Sequence, residues 1–155
     1  MDFYQKFKNK KTIIFIFLLL LLIILGINIF LLKKPAEMGT IRIENSIINV
    51  EMADTPREQY RGLSNRPSLC ADCGLLFNFP DQKVRGFVMR DMMFPLDIIF
   101  ISSGKIIKIA KNLLPEGHET KNIYSSEAKA DKVLEVNAGF CEKNGIKIGD
   151  QVFYN

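Results

Sequence analysis

The sequence predicts a mostly β domain, an antiparallel sandwich or barrel carrying two short helices, preceded by one N-terminal transmembrane helix. Three observations predict it. An uncharged apolar run of 21 residues lies near the start, many short segments from Thr40 onward alternate with a period of two, and turn residues separate them at regular spacing. The expected division is a basic cytoplasmic tail at 1–11, an anchor at 12–32, a linker at 33–39 and an extracytoplasmic β domain at 40–155.

The anchor comes first in the chain. Thr12 to Leu32, "TIIFIFLLLLLIILGINIFLL", holds no charge. As a helix it would span roughly 30 Å, the hydrocarbon thickness of a bilayer. The run is long for a cleavable signal peptide and ends in Lys33-Lys34-Pro35 rather than a small-residue cleavage site. Lys6, Lys8, Lys10 and Lys11 precede it, and Lys33 and Lys34 follow. The larger cluster should stay inside, which places the N-terminus in the cytoplasm and residues 40–155 beyond the membrane.

Charge is divided in the same way. The net charge of +4 resides in residues 1–38, and residues 39–155 hold 15 basic and 15 acidic residues. A balanced domain offers no basic stripe to track phosphates, so nucleic acid is not an expected partner. The expected partners are the lipid bilayer, through residues 12–32, and an envelope glycan, peptide or protein.

Beyond the linker, "IRIENSIINVEM" reads as a hairpin with its turn at Asn45-Ser46. "DTPREQYRGL" reads as the first short helix. Thr55 suits the N-cap, Pro56 the first helical position, Glu58 the capping box and Gly62 a left-handed stop. "GLLFNF", "GFVM", "LDIIFI", "KIIKIA", "KVLEV" and "QVFY" are further strands. Ser103-Gly104 fits a two-residue turn, and the second helix is expected in "NAGFCEKNGIKIGD".

Taken together and in order, "VEMADTPREQYRGLSNRPSL", "GLLFNFP", "MRDMMFPLDIIFI", "VLEVNAGF" and "GIKIGD" resemble the domain of unknown function 192 family, from about Ile47 to Phe153. The resemblance implies a compact, mostly β domain related to jelly-roll-like sandwiches, often exported or membrane-anchored, with no established activity. Where that family commonly shows Trp-Met-Lys-Asn, this chain has Val88, Met89, Arg90 and Asp91.

Charges inside apolar strands nominate a site. In "PLDIIFI", Leu96, Ile98 and Phe100 should share one face, and Asp97, Ile99 and Ile101 the other. A buried carboxylate must be paired or well hydrogen-bonded, or else stay neutral. Arg61, Arg66 and Arg90 are the available partners. Glu135 in "KVLEVN" should face with Val133 and Asn137. Two readings follow. Either Asp97 ties a loop through backbone N–H groups, or Arg61, Arg90, Asp97, Glu135 and Asn137 converge in a polar ligand-binding pocket. A paired Asp97 and Glu135 would also suit a hydrolase of a surface polymer. A non-catalytic binding module at the cell envelope is the preferred expectation, because no nucleophile, metal or cofactor motif is apparent.

Cys70 and Cys73, in "CADC", and the single Cys141 suit an oxidising compartment. Either a local Cys70–Cys73 disulfide or one to Cys141 is expected. A Cys₃His zinc site with His118, the sole histidine, lacks finger-like spacing, and His118 reads as an exposed loop residue.

Overall fold

The structure, a computed structural model, describes residues 10–31 and 38–154, with side chains through Gly26 in the first segment. The tail before Lys10, Lys33-Lys34 and most of the expected linker lie outside the described residues. The chain divides into two compact units, Met1–Pro35 and Ala36–Asn155.

The first unit contains one helix, α1, Lys10–Leu31. It opens with Lys10 and Lys11, and its apolar side chains from Ile13 to Leu25 are exposed, apart from the half-buried Ile16, with no polar face to turn toward water. No helix among the described residues is long and apolar enough to cross a membrane. The described side chains of α1 stop at Gly26, whereas the uncharged run continues in sequence to Leu32. The expected transmembrane span therefore rests on sequence and is not established by the described residues.

The second unit is mostly β. Its elements are β1 (Met38–Ile43), β2 (Ser46–Ala53), α2 (Pro56–Arg61), β3 (Cys73–Phe87), β4 (Leu96–Ser102), β5 (Lys105–Leu113), β6 (Tyr124–Asn137), α3 (Phe140–Lys143) and β7 (Val152–Tyr154). The strands form one sheet in the order β5-β4-β6-β3-β2-β1-β7. Of the sandwich or barrel expected, the mostly β class and the curl stand, and one seven-stranded sheet takes the place of two facing ones. The sheet curls so that the start of β5 touches the approach to β7. Lys105 bridges Gln151, Val152 N–H donates to Gly104 O at 2.8 Å and Ile106 N–H donates to Asp150 O at 3.0 Å. The result is a half-barrel. Nor is the sheet wholly antiparallel, since β2 and β3 run parallel. Parallel neighbours need a crossover of a dozen or more residues. The stretch from residue 54 to 72, which contains α2, supplies it.

Local chemistry explains the joints. Glu58 N–H donates to Thr55 Oγ1 at 3.3 Å, and Thr55 N–H donates to Glu58 Oε2 at 3.0 Å, completing the capping box. Gly62 has φ 50° and ψ −136°, which is not the left-handed helical stop expected but a conformation open chiefly to glycine. Ser103 and Gly104 both take positive φ, as a tight hairpin turn requires. The first hairpin turns at Glu44-Asn45, one residue earlier than the sequence suggested.

The curl gives the sheet two apolar faces. The inner one gathers residues from all seven strands, including Ile43, Val50, Leu76, Ile101, Ile106, Leu134 and Val152, and is plugged by Phe140 and Cys141 of α3. The outer one carries Leu75, Phe77, Leu96, Ile98, Phe100 and Val133, covered by Leu63, Met89 and Met92 from the connecting loops. With both faces covered, β4 is buried from Leu96 to Ile101.

Candidate functional site

Strand register decides which polar side chains can meet. Glu135 stands opposite Leu75 on β3 and Ile98 on β4, so it points out of the outer face between apolar neighbours. Asp97 stands opposite Val136, and its strand neighbour Ile99 belongs to the inner core. Asp97 and Glu135 are therefore on opposite faces of the sheet.

Asp97 is fully buried and saturated by backbone donors. Its Oδ1 accepts from Asn112 N–H at 2.8 Å and Gly139 N–H at 3.2 Å, and its Oδ2 from Cys141 N–H at 3.0 Å. It ties the end of β5 to the turn into α3. Nearby, the free thiol of Cys141 is pushed up to about 12, first by burial and then by the Asp97 charge. Asn137 shares the outer face with Glu135, but its Nδ2 donates to Leu69 O at 3.3 Å and Cys70 O at 2.9 Å. That amide holds the loop that carries the Cys70–Cys73 disulfide. Neither Asp97 nor Asn137 enters the pocket, and the hydrolase reading loses its carboxylate pair.

Arg61, Arg90 and Glu135 are brought to one cavity, although the charge that acts on the Glu135 carboxyl is that of Arg66. The cavity has a volume of about 270 Å³. Glu135 is 5% exposed, and its Oε2 finds no hydrogen-bond partner among the described residues. Burial pushes its carboxyl up to about 8, against a smaller opposing pull from the Arg66 charge. Arg66 itself is clamped to Glu51 by two bonds of 2.7 and 2.8 Å, and this holds the Glu51 carboxyl below its usual range.

Gly62 leaves space above that floor. A methyl group there would lie 3.6 Å from Phe77 Cζ and 3.8 Å from Glu135 Oε2. The walls are Leu63, Phe77, Phe79, Phe87 and Met92. Phe77 and Phe87 meet edge to face with centroids 4.7 Å apart. At the rim, Arg90 is fixed in place: Nη2 donates to Tyr60 O at 2.9 Å, and its guanidinium carbon lies 4.2 Å over the Tyr60 ring. The Arg61 charge helps hold the Glu51 and Glu58 carboxyls below their usual range. His118, exposed as expected, contacts Asp91 Oδ2 at 3.2 Å.

Sequence reasoning named the polar corners of this cavity and missed its aromatic wall. The signal was the alternation in "GLLFNF", which sets Leu75, Phe77 and Phe79 on the Glu135 face. Phe87 was read only as part of a strand.

Comparison with known proteins places the chain among uncharacterised relatives. The DUF192 family, described as "Uncharacterized ACR", matches residues 39–154. A crystal structure from Sinorhizobium meliloti 1021, named as a candidate transcription regulator, is similar at TM-score 0.73 and 29% identity, covering 79% of this chain and 97% of that one. A protein of unknown function from Novosphingobium aromaticivorans DSM 12444 is similar at TM-score 0.71 and 28% identity, covering 78% and 88%. No curated protein matches.

Proposed function

Because the chain belongs to the DUF192 family, which brings no established activity, we propose from its own geometry that the β domain is a membrane-tethered, non-catalytic binding module whose ligand enters the Glu135 cavity. One observation carries this reading: a buried carboxyl oxygen without a partner faces a cavity rimmed by two arginines. An orphaned polar atom costs about 1–3 kcal/mol, and a ligand that supplies its hydrogen bond recovers that cost. The second carboxylate that a catalytic reading expects, Asp97, lies on the opposite face of the sheet from Glu135. Nor does the regulator description of the Sinorhizobium protein carry over, since residues 39–155 are electrically balanced.

Ligand-observed NMR of a fragment library tests the pocket. Hits on the full chain should be displaced by one another and lost in Arg90→Ala, with circular dichroism unchanged. Hits retained at full strength in that variant would place binding elsewhere.

The tether is the second part of the proposal. It is supported by the uncharged run Thr12–Leu32 and by the excess of lysine before it. The Cys70–Cys73 disulfide suits an oxidising compartment outside the cytoplasm, at the cell envelope. The full chain is expected in the membrane pellet after alkaline carbonate extraction, and protease added to intact cells or spheroplasts is expected to digest the β domain. Release into the carbonate supernatant would contradict the anchor, and complete protection of the domain would contradict its orientation.

A further inference from the structure

The geometry points to a small apolar monocarboxylate as the ligand of this cavity, its head accepting a hydrogen bond from Glu135 at the floor, its body against the aromatic wall, and its charge drawn in by Arg61 and Arg90 at the rim. The inference rests on the reading that the cavity is a ligand site, and adds the chemical class and a pH dependence.

Size sets the first limit. A cavity of about 150 Å³ holds benzene, so 270 Å³ holds a body of about ten non-hydrogen atoms. Wall chemistry sets the second. A hydroxyl-rich body would leave its hydroxyls unpaired against Phe77, Phe87 and Met92. Charge sets the third. Arg90 is pre-oriented by Tyr60 with Asp91 Oδ2 3.9 Å from its Nε, and Arg61 lies within electrostatic reach of Glu51 and Glu58, so what the rim offers an anion is guanidinium N–H donors that stay free among the described residues.

Glu135 fits this occupant only while it keeps its proton. With its carboxyl pushed up to about 8 it is neutral at pH 7, and its O–H donates to a carboxylate oxygen. The charged groups around the cavity are Arg61 at the end of α2 with Glu58 near it, Arg90 after β3 with Asp91 beside it, and Arg66 with its partner Glu51 on β2, of which Arg66 acts on Glu135. Its neighbours on β3 and β4, Leu75, Phe77 and Ile98, do not titrate. Once Glu135 ionises it opposes the ligand's own charge. Affinity should therefore fall about tenfold for each pH unit above 8.

Phenylacetate and its neutral isostere phenylacetamide test the inference on the full chain in nonionic detergent, by calorimetric titration from about pH 6.5 to about pH 9.5. Phenylacetate should bind at the lower pH and weaken above 8, and in Glu135→Gln the weakening should vanish. Arg61→Ala, at an exposed position, should weaken phenylacetate about two- to threefold by loss of long-range attraction and phenylacetamide little, with circular dichroism unchanged. Equal binding of both probes, or phenylacetate affinity independent of pH in the unaltered chain, overturns the carboxylate assignment while the pocket stands. If neither probe binds at any pH, and the fragment library also gives no hit lost in Arg90→Ala, both readings fall.

Discussion

Asp97→Ala should lower the thermal midpoint of the β domain by roughly 10–20 °C, the largest effect expected of any single substitution here. The carboxylate is fully buried and receives N–H groups from Asn112, Gly139 and Cys141. Truncation leaves those donors without their acceptor and opens a small void beside the inner core. Breaking such an arrangement costs about 3–5 kcal/mol. Asp97→Asn keeps one carbonyl oxygen and should lose about half as much, since Oδ1 alone serves two of the three donors. Calorimetry on the full chain reads both. A midpoint for Asp97→Ala within a few degrees of the unaltered chain would show that these bonds are not holding β5 to α3.

The second large effect is a dependence of stability on pH that Glu135 should impose alone. Its folded carboxyl titrates near 8, against an ordinary value of 4.5. Between these values the folded protein holds a proton that the unfolded chain has released, so stability falls as pH rises. The loss is complete above 8 and absent below 4.5, and it totals about 5 kcal/mol at about 1.4 kcal/mol for each pH unit. Glu135→Gln removes the titrating group, and its stability should be nearly flat across the same window. Glu51 acts in the opposite sense. Its Arg66 bond stabilises the ionised form, so that contribution is present above 4.5 and is lost only as pH falls further. Urea unfolding at a series of pH values separates the two. A slope between pH 5 and 8 that survives Glu135→Gln would have to come from other groups.

Much of the fold was legible because its signals are local. The capping box from Thr55 to Glu58, the Ser103-Gly104 turn and the alternation in "LDIIFI" each depend on neighbours within a few residues, and each stands as read. The pairing of strands is not local. Nothing in "GLLFNF" states that it lies parallel to β2 and antiparallel to β6, so a period of two could not separate one curled sheet from a sandwich. Register matters most at the site. Ile98, not Asp97, stands opposite Glu135, and a shift of one residue exchanges the faces. That single step divides the five expected pocket residues, leaving Asp97 as a tie within the fold and Glu135 as the cavity floor. Asn137 was read on the correct face, but its bonds to Leu69 and Cys70 depend on a loop whose path no periodicity encodes.

The cavity's chemistry depends on an acid that stays neutral at physiological pH because apolar neighbours surround it and its Oε2 has no donor among the described residues. Following the Glu135 side-chain carboxyl by carbon-13 NMR across a pH titration, with Glu135→Gln to assign the signal, tests this directly. A midpoint near 8 is the expected result. A midpoint near 4.5 would contradict it, because Glu135 would then be an ordinary solvated carboxylate and the cavity would lose its distinguishing chemistry.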